Sequence, residues 1–256
     1  MPATDLPLLI DAALGGGQIA MAHWRSDPAT RTKDDGSPVS VADTAVDDAL
    51  RDTLTRARPA YGWMSEETPD DRARLSRAHC FILDPIDGTR AYLDGSTTWA
   101  LSLAVAEAGR ITAAVIHMPA KGLTYTAALG QGAWLNGVRI RASAIARAEG
   151  AALITSKATY AARHWRGTPP DFEKHFRPSM AYRLAVVAAG RFDAMMTLRQ
   201  AWEWDIAAGA LIAAEAGATV TDRHGAPLRF NSAPRQSAGV VAANPALHDE
   251  ILKQLA

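Results

Sequence analysis

A short apolar run that ends directly in acidic residues sets the strongest limit on the fold of this chain. Residues 79–83 predict a buried strand, and the segment from Asp84 to Thr89, which reads Asp-Pro-Ile-Asp-Gly-Thr, follows at once. Two carboxylates that lie three residues apart at the end of a strand can converge on one point. Pro85 stiffens the turn between them, and Gly88 lets the backbone pass close to a ligand. We therefore expect this strand to end at a functional site.

The end of this segment is typical of a phosphate and metal site. Thr89 offers a hydroxyl group, and its amide is predicted to begin a helix, where free N–H groups bind phosphate oxygens. Carboxylates, carbonyls and water are the ligands that Mg²⁺ prefers. Asp84 and Asp87 beside a phosphate-binding turn therefore suit Mg²⁺, although an isolated pair with this spacing is more often only a turn and a helix cap.

Helical and strand patterns alternate along the chain. Apolar spacing and end signals predict helices over residues 6–24, 41–57, 182–189, 204–216 and 245–255. Strands are predicted over residues 61–64, 79–83, 99–107, 110–118, 191–197, 218–221 and 239–242, with a further hairpin turn at Asn136-Gly137. Such a mixture predicts a layered α/β sandwich. We expect one domain over residues 1–256, and the pattern tolerates a sub-domain boundary near residues 140–150 without requiring it.

Composition narrows the classes of function. The 27 Lys and Arg residues balance the 27 Asp and Glu residues, so the basic surplus typical of nucleic-acid-binding proteins is missing. No run reaches the ~20 apolar residues of a membrane helix. Asp5 and Asp11 interrupt the first apolar stretch, which is unlike a signal peptide. The single cysteine, Cys80, excludes an internal disulfide and is predicted to be a buried, inert thiol. We expect a cytoplasmic protein.

Further acidic residues lie in segments that fit the same site. Glu66 belongs to a Ser-Glu-Glu sequence after a predicted strand, Asp205 lies at the start of an Ala-rich helix, and Asp43 lies near the start of an earlier helix. Each alone is explained as a surface charge, a helix cap or a loop residue. Together with the Asp-Pro-Ile-Asp-Gly-Thr motif and the motif Trp-Asp-Ile-Ala-Ala-Gly from Trp204 to Gly209, they resemble the inositol monophosphatase family over nearly the whole chain.

The resemblance implies a fold, a cofactor and a role for each of these residues. The implied fold is an αβαβα sandwich of the inositol monophosphatase and fructose-1,6-bisphosphatase type, with two or three Mg²⁺ ions per active site. The positions of the metal ligands are occupied by Glu66, Asp84, Asp87, Asp205 and the carbonyl of Ile86. By the same resemblance, Asp43 and Thr89 orient and deprotonate the attacking water, and Glu66 takes part in catalysis. The residues expected to contact the substrate are Glu66, Ile86, Asp87, Gly88, Thr89 and Asp205.

The physical chemistry agrees with this assignment. Several carboxylates that converge without cations repel one another, and their pKa values rise. Magnesium ions offset that charge, acidify a bound water and neutralise the phosphoryl oxygens. An in-line attack on phosphorus depends on positioning more than on a covalent nucleophile. We therefore expect metal-activated water rather than a cysteine or serine nucleophile.

Three sequence details favour one substrate within the family. Ser65, before the two glutamates, and Arg90, after Asp-Gly-Thr, are similar to the 3'(2'),5'-bisphosphate nucleotidase branch. Leu198 stands where inositol phosphatases tend to carry a glutamate that contacts sugar hydroxyls. These details predict hydrolysis of adenosine 3',5'-bisphosphate to AMP and phosphate. Arg90 or Arg183 could pair with the second phosphate, or serve only as a surface ion-pair partner. Among the aromatic residues, Trp202 is the candidate for stacking on a base, because it lies close in sequence to Asp205.

Other substrates and one other class of protein stay open. Inositol 1-phosphate and histidinol phosphate fit the same metal chemistry, and residues 156–182, which shape the pocket in this family, are idiosyncratic here. A non-catalytic regulatory protein that keeps the fold is a remote alternative, because every implied metal ligand is present. The expected partner is a small phosphate ester, with no nucleic acid polymer and no membrane span. The resemblance further implies a homodimer and sensitivity to lithium.

Overall fold

Helices and strands alternate along the described chain, which comprises residues 5–26, 29–32, 36 and 38–256 of the computed structural model. Its helices are α1 (Asp5–His23), α2 (Val41–Ala57), α3 (Thr89–Leu93), α4 (Met180–Ala188), α5 (Glu203–Glu215) and α6 (Pro245–Gln254). Its strands are β1 (Thr30–Thr32), β2 (Pro38–Ser40), β3 (Gly62–Ser65), β4 (His79–Asp87), β5 (Ala100–Glu107), β6 (Arg110–Met118), β7 (Leu123–Ala128), β8 (Ala133–Leu135), β9 (Val138–Ile140), β10 (Ala152–Ile154), β11 (Glu173–His175), β12 (Ala194–Thr197), β13 (Ala201–Trp202), β14 (Thr219–Thr221), β15 (Gln236–Ser237) and β16 (Val240–Ala243). Short 3₁₀ turns cover Ala73–Ser76, Pro119–Lys121, Lys157–Tyr160 and Ala162–His164.

The larger sheet has seven strands in the order β3-β4-β5-β6-β7-β8-β9. β3 and β4 are parallel, and each later neighbour pairs antiparallel with the strand before it. The predicted hairpin of β5 and β6 is confirmed. The predicted turn between β8 and β9 is confirmed as well, and Asn136 and Gly137 have φ angles of 48° and 78°. Positive φ at both positions is what a two-residue hairpin of this kind requires.

Apolar residues cover both faces of this sheet. Along β4, Phe81 and Leu83 belong to the cluster that packs against α1 and α2, whereas Cys80 and Ile82 belong to the cluster around α4 and α5. The strand is therefore buried on both sides, as its uninterrupted apolar run predicts. Helix α1 approaches the sheet so closely that a Cβ atom added to Gly17 would lie 2.7 Å from the ring of a histidine in β6.

A smaller sheet with the strand order β11-β10-β12-β16-β14 supplies a second β layer. Met195 of β12 faces the cluster around α4 and α5, whereas its neighbours Ala194 and Met196 face the cluster that contains residues of α6. The layers are thus α1 with α2, the larger sheet, α4 with α5, the smaller sheet, and α6. This αβαβα sandwich confirms the fold implied by the resemblance. None of the described helices combines the length and apolarity needed to cross a membrane.

The structure differs from the sequence prediction at the end of β4. The sequence predicts a strand that ends at residue 83, before a turn stiffened by Pro85. The strand instead continues to Asp87, with an irregular register between Asp84 and Asp87. A bulge leaves one residue outside the ladder, and proline is tolerated there because it has no N–H to donate. The pair of aspartates therefore lies within the last part of the strand and not beyond it.

Candidate active site

The bulge in β4 turns both aspartates of the central motif toward the same side of the sheet. Side chains alternate between the faces of a strand, so residues three apart normally point to opposite faces. Asp84 pairs with Ser102 and Asp87 pairs with Ala100, which means that two residues of β4 oppose a single residue of β5. Because of this extra residue, the side chains of Asp84 and Asp87 point to the same face although they lie three positions apart. Both carboxylates share the face on which Ser102 donates a hydrogen bond to the carbonyl of Trp204 in α5.

Three carboxylates from different elements meet at this edge of the larger sheet. Glu66 directly follows β3, Asp84 lies in β4, and Asp205 lies in the first turn of α5. Their oxygen atoms lie within 4.8 Å of one another. The parallel pairing of β3 with β4 brings the two strand ends together, and the amide of Glu66 donates to the carbonyl of Leu83 at 3.3 Å. This group of hard oxygen ligands could hold Mg²⁺.

Burial and mutual repulsion raise the pKa values in this group. Burial is the largest cause that raises the pKa of the Asp84 carboxyl, and the charges of neighbouring carboxylates add to it. Burial also raises the pKa of Asp205, again with help from acidic neighbours, whereas Arg199 and Arg183 act to lower it. Carboxylates in such a cluster are stabilised as anions when cations lie between them. The electrostatics of the site therefore fit the predicted metal ions.

Asp87 does not belong to the group of three carboxylates and is instead bonded to the N-terminus of α4. Its Oδ2 atom accepts hydrogen bonds from the Ser179 hydroxyl and from the Ala181 amide, each at 2.6 Å. Burial raises the pKa of Asp87 to about 6, and these hydrogen bonds oppose the rise. Ser179 is also the N-cap of α4, where its hydroxyl accepts from the amide of Tyr182. The role of Ser179 was not predicted from the sequence, although a serine directly before a helical pattern is a signal for a helix cap.

Asp43 and Thr89, predicted to act together, are in hydrogen-bonding distance. Ser40 caps α2, and Asp43 closes the capping box by accepting from the Ser40 amide at 2.8 Å and from its hydroxyl at 2.6 Å. These bonds use the Oδ2 atom of Asp43. The Thr89 hydroxyl lies 3.2 Å from Asp43 Oδ1 and 3.2 Å from the carbonyl oxygen of Ile86, so it can donate to either one. The pair thus joins the start of α2 to the start of α3.

Four helices begin around this site. Asp43 and Asp205 lie in the first turns of α2 and α5, Thr89 is the first residue of α3, and Asp87 bonds to the start of α4. The N–H groups at helix starts carry partial positive charge, which favours carboxylates and phosphate oxygens alike. Gly88 precedes α3 with a φ of 98°, a conformation that glycine adopts without strain.

A cavity of about 690 Å³ opens beside these groups. Its size is that of a site for a small molecule. Residues of the carboxylate group, of the loop before α3, of the predicted pocket segment and of the loop after β12 line it. The lining residues include Glu66, Gly88, Thr89, Arg90, Phe176, Arg183 and Arg199. Three arginines and the carboxylates of Glu66 and Asp94 therefore line the same cavity.

Two of the three residues that favoured a nucleotide substrate do not line this cavity. Ser65 is buried, and its hydroxyl donates a hydrogen bond to Asp47 of α2. Leu198 is buried in the cluster that contains residues of α6. Trp202 stacks on Trp204 with ring centroids 4.7 Å apart and does not line the cavity either. Of the residues that suggested a nucleotide substrate from the sequence, only Arg90 and Arg183 line the cavity, where they could contact a substrate.

Cys80 takes no part in the site. It is fully buried in the larger sheet, and burial raises the pKa of its thiol to about 12. The thiolate is the nucleophilic form of cysteine, and this thiol stays protonated at neutral pH. The prediction of a buried, inert thiol is confirmed.

Comparisons with known proteins identify the family to which the sequence is similar. The sequence profile of the inositol monophosphatase family matches residues 3–256. The inositol-1-monophosphatase of Rhizobium meliloti is 35% identical over 216 residues, which cover 80% of this chain and 78% of that protein. The fructose-1,6-bisphosphatase/inositol-1-monophosphatase of Thermotoga maritima is 34% identical over 245 residues, which cover 93% of this chain and 90% of that protein.

A solved structure extends the comparison to three dimensions. The crystal structure of extragenic suppressor protein suhB from Bartonella henselae aligns with a TM-score of 0.84 at 28% sequence identity. The alignment covers 98% of this chain and 97% of that chain. The match of the family profile over nearly the whole length is accompanied by the same fold and by the acidic motifs at one site. The chain belongs to the inositol monophosphatase family.

Proposed function

We propose that the protein is a magnesium-dependent phosphomonoesterase that hydrolyses a small phosphate ester with an activated water molecule. The observation that carries the proposal is the convergence of Glu66, Asp84 and Asp205 beside the contacting pair Asp43 and Thr89. Attack of water on a phosphoryl group needs cations to neutralise charge and a base to accept a proton. The site offers residue types for both tasks, and Glu66 and Thr89 connect them to the cavity that they line.

Glu66, Asp84, Asp87, Asp205 and the carbonyl of Ile86 would hold the magnesium ions. The fit rests on buried carboxylates whose pKa values are raised by burial and by one another. When bound, Mg²⁺ neutralises phosphoryl oxygens and lowers the pKa of water. The number of ions, two or three, follows from the family resemblance and stays a prediction.

Asp43 and Thr89 would activate the attacking water. The Ser40 hydrogen bonds fix Oδ2 of Asp43, which leaves Oδ1 toward the Thr89 hydroxyl. When that hydroxyl donates to Asp43, its oxygen can accept a hydrogen bond from water. The proton of the water then passes to Thr89 as the threonine proton passes to the carboxylate. The amides of Gly88 and Thr89, at the start of α3, would bind the phosphate oxygens.

The substrate is the finer part of the proposal. The names of the relatives from Rhizobium meliloti and Thermotoga maritima favour inositol 1-phosphate. Adenosine 3',5'-bisphosphate is the second candidate, and the arginines that line the cavity, Arg90, Arg183 and Arg199, favour it. Because Ser65 and Leu198 lie outside the cavity, the nucleotide candidate rests on these arginines. Histidinol phosphate stays a third ester to test.

Phosphate release from the three esters, each with Mg²⁺, with EDTA and with added Li⁺, tests the proposal. We expect turnover with Mg²⁺, none with EDTA, and inhibition by Li⁺. A preference for one ester of about a hundredfold in kcat/KM, or about 2.7 kcal/mol, would identify the substrate class. Absence of turnover with every ester, with Mg²⁺ binding confirmed by calorimetry, would refute the phosphatase and favour a regulatory protein that keeps the fold.

Three further properties are part of the proposal. We propose that residues 1–256 form one domain, because a single apolar cluster contains residues of both sheets, such as Ile116 and Met195. One calorimetric unfolding transition would support this, and two separated transitions would contradict it. A homodimer is proposed from the family resemblance and is tested by sedimentation. A cytoplasmic location is tested by cell fractionation.

A further inference from the structure

A buried glutamate lies two residues before Asp205 and does not line the cavity. Glu203 is the first residue of α5, and its side chain is fully buried. Its Oε2 atom accepts from the amide of Asn231 at 2.6 Å, and its Oε1 atom accepts from the amide of Ser232 at 3.0 Å and from the Ser232 hydroxyl. Burying a carboxylate is unfavourable unless such donors satisfy it. These bonds therefore fasten the start of α5 to the turn at residues 231–232.

The same turn is joined to the loop that follows β3. The side chain of Asn231 accepts from Nη1 of Arg74 at 2.7 Å and donates to the Arg74 carbonyl at 3.2 Å. Arg74 is 1% exposed, and its Nε and Nη2 atoms donate to the two oxygens of Asp70 at 2.9 Å each. The turn with Arg74 packs directly on β3, because a Cβ atom added to Gly62 would lie 2.7 Å from the Cβ atom of Arg74. This loop begins with Glu66, directly after β3.

The bonds form one network between two segments that carry carboxylates of the site. We call it the Glu203 network, and its members are Asp70, Arg74, Glu203, Asn231 and Ser232. Glu66 and Asp205 come from the two segments that it joins, and their carboxylate oxygens lie within 4.8 Å of one another. Like charges at this separation repel and push the segments apart. Because Mg²⁺ requires near-ideal octahedral geometry, ligands that are already held together bind it more tightly than ligands that must first be assembled.

We propose that Glu203 is a positioning residue for Mg²⁺, which holds Asp205 at the distance from Glu66 that the metal site requires. The inference rests on the metal site of the proposed function. Glu203 acts on the start of α5, whereas Asp205, in the first turn of that helix, would contact the ion. Its contribution therefore belongs to the affinity for Mg²⁺ and not to the chemical step.

Calorimetric titration of the metal-free protein with Mg²⁺ tests this role. Glu203→Gln keeps the shape of the side chain but offers one acceptor oxygen and one NH₂ group to three donors, so at least one bond to the turn is lost. We expect its Kd for Mg²⁺ to rise about 10-fold, at the lower end of the range for groups that bond to a metal ligand directly. In phosphate release, the Mg²⁺ concentration that gives half of the maximal rate should rise by the same factor. The kcat at saturating Mg²⁺ should stay close to that of the wild type.

Glu215 provides a matched control at the other end of α5. Its two oxygens accept from the amides of Gly130 and Gly132 at 2.7 Å each, so it also fastens a loop to this helix. Glu215→Gln should reduce the free energy of unfolding and leave the Kd for Mg²⁺ unchanged. A rise in Kd as large as that in Glu203→Gln would mean that any weakening of α5 loosens the metal site, and it would refute the positioning role.

A second variant decides the outcome if Glu203→Gln does not fold in thermal unfolding. Ser232→Ala removes the hydroxyl that bonds to Glu203 and should raise the Kd for Mg²⁺ by a smaller factor. An unchanged Kd in folded Glu203→Gln, or in Ser232→Ala where Glu203→Gln does not fold, would overturn the inference. A wild type that binds no Mg²⁺ would remove the proposed metal site and this inference with it. A wild type that binds Mg²⁺ without turnover would remove the phosphatase alone, because the Kd values are measured without substrate.

Discussion

Replacing Asp87 with asparagine should stabilise the metal-free protein and abolish much of its response to magnesium. Asp87 is 6% exposed, and its Oδ2 atom accepts hydrogen bonds from Ser179 and Ala181. The amide oxygen of asparagine can accept the same two hydrogen bonds. The substitution therefore removes the negative charge while it keeps the local structure, which isolates the electrostatic contribution of this carboxylate.

The size of the effect follows from the pKa of Asp87, which burial raises from its usual 3.8 to about 6. Between these values the folded protein holds a proton that the unfolded chain has released, so stability falls as pH rises. The stability linked to protonation of Asp87 is fully present below pH ~4. It decreases as the pH rises to ~6 and is absent above that pH. A shift of about two units, at ~1.4 kcal/mol each, corresponds to about 3 kcal/mol at neutral pH.

Denaturant unfolding at acidic and neutral pH, with EDTA or with Mg²⁺, measures both parts of the prediction. In EDTA, Asp87→Asn should be more stable than the wild type by up to about 3 kcal/mol at about pH 7, and equal to it at about pH 4. With Mg²⁺ at about a hundred times its Kd, the wild type should gain about 2.7 kcal/mol, and the variant should gain less. The exposed carboxylate of Asp171 provides the control, since Asp171→Asn should change neither result.

The reasoning is refuted by either of two results. A variant that is less stable than the wild type in EDTA at neutral pH would mean that the carboxylate is favourable in the metal-free site. A variant that gains as much stability from Mg²⁺ as the wild type would mean that Asp87 is not a metal ligand.

Four other substitutions test separate parts of the structure. Asp43→Asn should lower kcat by about 10²- to 10⁴-fold while calorimetric Mg²⁺ binding is retained, and full activity would contradict its role as the base. Asp47→Ala leaves two hydroxyl groups without their acceptor and should reduce the free energy of unfolding in urea by about 1–3 kcal/mol. Gly17→Ala places a methyl group against His117 and should destabilise by about 1–3 kcal/mol, whereas Gly15→Ala, with no atom within 4 Å, should stabilise by about 0.5–1 kcal/mol in thermal unfolding.

The helices, most of the strands and the identity of the acidic residues could be predicted from the sequence. Helix α2 begins where Ser40 and Asp43 form a capping box, which is a local signal within four residues. The apolar run before Asp84 predicted a strand buried on both faces, because periodicity reports burial directly. The site residues were found through motifs that are contiguous in the chain.

Contacts between distant residues could not be predicted in this way. Ser65 has the same sequence neighbours whether it contacts a substrate or bonds to Asp47, and only the packing of α2 against β3 decides between these roles. In the same way, Asp87 meets Ser179 across 92 residues of chain, a pairing that depends on how α4 lies on the larger sheet.

The sequence by itself determined the layered α/β fold, the order of its elements and the acidic chemistry of the site, because periodicity, caps and motifs are local properties of the chain. Only the tertiary structure decided that Asp84 and Asp87 point to the same side, since this depends on a bulge defined by pairing with β5. It also decided that Arg183 is buried beside the cavity, where none of the described carboxylates forms an ion pair with it. The physical reason is the same in both cases: register and burial are set by contacts between layers, and those contacts join residues far apart in sequence.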